Sequence, residues 1–354
     1  MSSLEGQGRR RFLAASLALP LVPSLVGCGG GADDTSEELR EQPTARSQAA
    51  TTDQHAQRPA KFRRRARSYA RRGVTAIAMA PDGSAVAVAY ADGRLRLLDG
   101  EGSRDRRLIK GRGGAPVVGL VFSANGRLLV AVGRDSAAEF WSVETGERRW
   151  VMHGHEHALR SVATSADGSV VATAGDETRV MLWDGTTGKL KRIVGGHTDF
   201  VNSVSLSPTG QLGASGDADA RVLVWSVSKG GLLHTLRGHA DEVNAVAFSP
   251  DGALLTSAAE DGKLILWDML SGRQIDSLQG HRAALRTLSF SADGGLLAAG
   301  GVDGRVAVWD MRTRSLVSDV AASSGVVNVV IFDRKRKNWV FVGDEHDGIA
   351  AIRL

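Results

Sequence analysis

The residue types of acyl-transfer chemistry occur in this chain at fixed offsets. His239, Ser257 and Asp261 have the makings of a base, a nucleophile and an orienting acid, and His197, Ser215 and Asp219 stand at the same offsets. An enzyme needs such a set once. Here it recurs, because His155, His197, His239 and His281 are each 42 residues apart. A Trp follows the Asp by six residues in both sets, as Trp225 and Trp267. Recurrence at a fixed step points to architecture rather than to one catalytic site. His153, His155 and His157 stand close enough to suggest a metal, since imidazole suits zinc, copper or nickel. His155 belongs to the repeating set, so two histidines on a loop remain and no metal site is expected. The run from Asp344 to Asp347 reads as a solvated turn. Gly111 to Gly114 is too short for a phosphate loop and lacks a strand–helix context. No cofactor is expected.

The elements that carry these residues repeat with them. Val243, Ala245 and Ala247 alternate with polar or small residues and lead to Phe248, the pattern of a half-buried strand. Pro250-Asp251-Gly252 is a turn, because Pro presets φ and Gly accepts φ > 0. A second strand follows over 254–258, a turn at Glu260-Asp261-Gly262, a third strand to Trp267 and a fourth over 273–278. Trp141, Trp183, Trp225, Trp267 and Trp309 keep the same step, as do Gly126, Gly168, Gly210, Gly252 and Gly294.

Gly-His at one end and Trp-Asp at the other, on a period in the low forties, resemble the repeats of the WD-repeat family. The resemblance covers residues 61–354. It implies an all-β fold, a seven-bladed β-propeller of four-stranded antiparallel blades. Blade seven is degenerate: a basic run from Arg334 to Lys337 replaces its Asp-Gly turn, and the chain stops after a third strand. A propeller closes its ring to avoid open edges. Residues 62–69 have no blade of their own and are expected to pair with residues 349–352 as the outer strand of blade seven.

The same resemblance implies a structural network in each blade, in which the Trp N–H bonds the hydroxyl, the hydroxyl bonds the His, and the His bonds the acid in the turn. The implied sets are His155, Thr173, Glu177 and Trp183; His197, Ser215, Asp219 and Trp225; His239, Ser257, Asp261 and Trp267. His281, Asp303 and Trp309 form a partial set with Ala299 at the hydroxyl position, and blades one, two and seven lack the His. The central blades should be the stiffer half. Partners in the family usually bind a face formed by two sets of loops. Carried over, that face holds Arg160, Phe200, Asn202, Glu242, Asn244, Arg286 and Asn328, with Thr75 and Val118 at equivalent positions. The second loop set adds Arg134, Asp176, Glu260 and His346. Its mixed charge argues against nucleic acid, which wants a basic stripe.

The first sixty residues read differently. Arg9-Arg10-Arg11-Phe12-Leu13 opens an apolar run to Val26, broken by Pro20 and Pro23, and Leu25-Val26-Gly27-Cys28 ends it. Such a run is too short to span a membrane comfortably and fits an export signal. The arginine pair resembles a twin-arginine signal, with Gly8 and Ala14 departing from its usual residues. The end of the run resembles a lipobox, which implies cleavage after residue 27 and a lipid on Cys28. Gly29 after the cysteine favours the outer membrane or cell surface. Cys28 is the sole cysteine, so no intramolecular disulfide forms. Residues 28–60 hold almost no large apolar side chain and read as a disordered tether. Residues 61–72 carry seven Lys or Arg, either as solvated strand side chains or as a patch for anionic lipid.

With 354 residues, a net charge of +5 and 43 glycines, one closed propeller takes up most of the chain. The expected function is an exported, lipid-anchored, monomeric scaffold that binds protein, not an enzyme. The alternatives are a propeller-type hydrolase and a cytoplasmic interaction protein whose N-terminus imitates a signal.

Overall fold

The computed structural model describes residues 73–109, 115–281, 283–346 and 348–354. Among these, 27 strands form seven antiparallel sheets and no helix occurs. Six sheets have four strands and the seventh has three, each ordered as the chain runs. The sheets stand around a ring as blades of a seven-bladed β-propeller. The innermost strand of each blade neighbours that of the next, and Val327–Phe332 of blade seven returns to Val74–Met79 of blade one.

Blade five shows why the sequence folds this way. Its inner strand is Val243–Phe248, followed by Leu254–Ala259, Leu264–Asp268 and Gln274–Leu278. Gly252 takes φ 73°, the left-handed region that only glycine adopts without strain. Ser249 Oγ accepts the Leu254 N–H at 2.9 Å and Asp251 Oδ1 accepts that of Ala253 at 3.0 Å. The Ser-Pro-Asp-Gly turn thus satisfies its own donors. The second strand is almost wholly buried, while the outer strand is exposed at Gln274 and half-buried over residues 275–277.

The core lies between blades rather than within them. Ala214, Val222 and Leu236 of blade four pack with Val243, Leu255 and Trp267 of blade five. Val74, Ile77 and Val88 of blade one likewise pack on Phe341 of blade seven. Each large side chain buried this way contributes roughly 1.5–3 kcal/mol, so the ring is held by seven seams of the same kind.

The alternation in the sequence conceals one irregularity. Val243 pairs with Ala259 and Ala245 with Ala258, which leaves Asn244 as a bulge. Thr75, Val118, Arg160, Asn202, Arg286 and Asn328 are skipped at the same point of their blades. A bulge re-aims the extra side chain, here at the end of the ring where each inner strand begins.

Blade seven has Val327–Phe332, Trp339–Asp344 and Ile349–Arg353 among the described residues. Its expected fourth strand, residues 62–69, lies outside the described residues, as do the signal over 1–27 with Cys28, the tether over 28–60 and the basic run over 61–72.

Candidate functional site

The triad-like residues of blade five come together as one chain of hydrogen bonds. Trp267 Nε1–H donates to Ser257 Oγ at 2.8 Å, Ser257 Oγ lies 2.7 Å from His239 Nε2, and His239 Nδ1 lies 3.1 Å from Asp261 Oδ2. A carboxylate only accepts, so Nδ1 carries the proton and Nε2 accepts from the serine. Asp261 also accepts the N–H groups of Ala240 and Lys263. Burial pushes the His239 ring below its ordinary value and outweighs the attraction of Asp261. Burial pushes the Asp261 carboxyl up, but these N–H groups and His239 outweigh it and hold the carboxyl low. The pair is therefore a neutral imidazole on a carboxylate.

Blade three builds the same chain from other residue types. Trp183 Nε1 donates to Thr173 Oγ1 at 2.7 Å, which lies 2.6 Å from His155 Nε2, and His155 Nδ1 bonds Glu177. Arg179 holds the second Glu177 oxygen at 2.8 Å. Burial again lowers His155 against the pull of Glu177. In blade six Ala299 supplies no hydroxyl. His281 Nδ1 lies 3.2 Å from Asp303 Oδ2 and its Nε2 3.2 Å from the Ala299 carbonyl oxygen, and Trp309 Nε1 donates to the Gln279 carbonyl at 3.1 Å.

Blade four departs from expectation. Trp225 Nε1 donates to Ser215 Oγ at 3.1 Å and Ser215 Oγ lies 2.6 Å from His197 Nε2. The acid, however, is Asp217 and not Asp219: His197 Nδ1 donates to Asp217 Oδ2 at 2.7 Å. Asp219 instead accepts the Thr198 hydroxyl, with its side chain 44% exposed. Blade four alone of blades three to six has an acid at this register, where Gly175, Ala259 and Gly301 stand in the others, and Arg221 supports it: Nη2 donates to Asp217 Oδ2 at 2.8 Å and the backbone N–H to Oδ1 at 2.9 Å. Burial raises the Asp217 carboxyl, but His197 and Arg221 outweigh it and hold it below the ordinary range.

Thr173, Ser215 and Ser257 are each 0% exposed. A nucleophile must reach its substrate, and these hydroxyls are closed off between a Trp and a His. The sets hold blades together and are not open to acyl transfer. Among the described residues no three His, Cys, Asp or Glu side chains gather as metal ligands.

The residues assigned to a partner face do gather at the bulged end of the ring. Arg160 bonds Asp176, lies 3.0 Å from Asn202 Oδ1 and stacks its guanidinium 5.5 Å from the ring centre of Phe200. Arg286 Nη1 lies 2.6 Å from Glu260 Oε1, which also accepts from Asn244 at 3.1 Å. Phe200 is 40% exposed. Arg134 and His346 are exposed, and Glu242 is half-buried.

Part of this face serves the ring itself. Asn202, Asn244 and Asn328 donate from Nδ2 to the carbonyls of Val243, Leu285 and Val74, each on the next blade. Thr75 donates to the Val117 carbonyl in the same way. Sequence reasoning missed this role because it missed the bulge. It also missed Ser161, Ser203 and Thr287, whose hydroxyls accept the backbone N–H of Val204, Val246 and Val330 across the seams.

A profile of the WD domain, G-beta repeat family matches residues 146–184, 188–226, 230–268 and 272–310. Each matched segment begins before the outer strand of one blade and ends with the third strand of the next, so the sequence unit straddles two blades. No curated protein matches the chain. Four consecutive repeats of this kind, set in a seven-bladed ring, support the WD40 β-propeller family.

Proposed function

We propose that the protein is an exported, lipid-anchored WD40-repeat propeller that holds a protein partner on its bulged face. Phe200 carries this reading. It is a large aromatic left 40% exposed on the ring, backed by Arg160, which is itself paired with Asp176. Exposed aromatic and Arg anchors of this kind dominate protein interfaces. The arginine pair at 9–10 and the sole cysteine after an apolar run support export and a lipid anchor.

Crosslinking from a photoreactive residue at Arg134, followed by capture, should give one dominant protein adduct, and Phe200→Ala should remove it while leaving the melting midpoint in place. An adduct indifferent to Phe200→Ala would overturn the face. Labelling with a palmitate analogue should mark the wild type and not Cys28→Ser. Replacing Arg9 and Arg10 by Lys should stop export. Undiminished export would assign the signal to the general secretory route.

A further inference from the structure

We propose that the channel mouth on the face opposite the bulges is a binding site for a small linear apolar carboxylate, with the tail in the channel and the head on Arg334. The inner strands end at that face, and a cavity of about 610 Å³ opens there. Small-molecule sites run from about 300 to 1,000 Å³. The turns after the inner strands form its rim. Blades one to six place Pro81, Ala124, Ala166, Pro208, Pro250 and Ala292 at one equivalent rim position. Blade seven places Arg334 there, the first residue of the basic run that replaces its Asp-Gly turn.

Arg334 is the single charged residue lining the cavity among the described residues. Its backbone N–H meets Met79 Sδ at 3.2 Å, which ties the turn to blade one. Its guanidinium has no hydrogen bond or ion pair among the described residues. Arg336 by contrast is committed to Asp333 at 2.5 Å and stacks 4.7 Å from the Trp339 ring. Below the rim, half-buried Leu120, Ala247, Leu288 and Ile331 line the wall. Three rim hydroxyls are committed within their own turns, since Ser165, Ser249 and Ser291 donate to Asp167, Asp251 and Asp293, and Ser207 lies 3.2 Å from the Thr209 hydroxyl. A lining of apolar side chains interleaved with Thr164, Ser289 and Ser291, with one exposed and unpaired fork at its rim, suits a short apolar body bearing one planar anion.

Octanoate, octan-1-ol and acetate are the probes, titrated by calorimetry and saturation-transfer NMR into the full chain carrying Cys28→Ser, without detergent. Octanoate should bind, and the alcohol and acetate should each bind at least tenfold more weakly. Arg334→Gln should weaken octanoate at least tenfold without moving the melting midpoint, whereas Lys335→Gln, outside the lining, should change it less than twofold. Ala166→Glu, which sets an anion across the rim, should abolish binding. Absent octanoate binding, equal binding of octan-1-ol, indifference to Arg334→Gln, or an equal loss in Lys335→Gln would each overturn the proposal.

Discussion

Asp217 and Asp219 stand two residues apart, and the structure gives them unequal weight. Asp217 is 0% exposed and accepts five hydrogen bonds, from the His197 ring, from the backbone of Asp219 and Arg221, and from two guanidinium nitrogens of Arg221. Asp217→Ala takes the acceptor from His197 Nδ1 and from Arg221 Nε, and leaves Arg221 with Thr198 and the more distant Asp219 in a site where the Arg side chain is only 11% exposed. Removing one partner of a buried ion pair costs about 3–5 kcal/mol. Asp219 is a surface acid near Arg221 at 3.6 Å, and exposed pairs are worth about 0–1 kcal/mol. For a ring of this size, 1 kcal/mol moves a melting midpoint by about 2 °C. Asp217→Ala should therefore lower the midpoint by about 6–10 °C, and Asp219→Ala by about 2 °C at most. Circular dichroism melts of both variants decide the matter. If Asp219→Ala proves the more damaging, the assignment of the blade-four acid is wrong.

Ser257→Ala should cost about 1–3 kcal/mol from the buried hydrogen bonds left unmade, and Trp267→Ala about 3–5 kcal/mol because it also empties a seam; chemical denaturation of the two ranks them. The folded values of His155 and His239 lie below the ordinary one, so the unfolded chain takes up protons first and stability falls as pH drops below about 6.5. Melts at about pH 7.5 and 5.5 should show this loss, and a His155→Gln, His239→Gln double variant should show less of it. Asp217 acts lower: its stabilisation is present above about pH 4, the unfolded value, and is lost as pH falls through the folded value. If residues 62–69 supply the outer strand of blade seven, deleting 29–60 should leave the midpoint unchanged. Extending the deletion through residue 70 should then give an aggregating or protease-sensitive chain, and a monomer of unchanged midpoint would refute the closure.

The period, the turns and the networks of blades three and five were legible because each rests on a local requirement. Gly252 is needed for its φ, Ser249 and Asp251 for the turn donors, and Trp267, Ser257, His239 and Asp261 for mutual satisfaction. Blade four was misread because two Asp residues compete for one His, and the buried Asp217, on the strand itself, takes it with Arg221 beside it. Spacing alone cannot show that, since Asp219 keeps the register of Asp261 while Asp217 collects the donors.

The bulge has the wider consequence for function. A strictly alternating inner strand would send Asn244 to one side of the sheet. The extra residue frees its amide to reach the Leu285 carbonyl on the next blade. The face assigned to partners is thus also the clasp between blades, and its residues divide by what they touch. Asn202, Asn244 and Asn328 spend their donors on neighbouring backbone, so replacing them disturbs the ring together with anything bound to it. Phe200 has no side-chain hydrogen-bonding group, and Arg286 meets only Glu260 among the described charged residues, with a side chain 43% exposed. Loss of binding on substituting Phe200 or Arg286 therefore reports on the surface, whereas loss on substituting the asparagines reports first on the architecture beneath it.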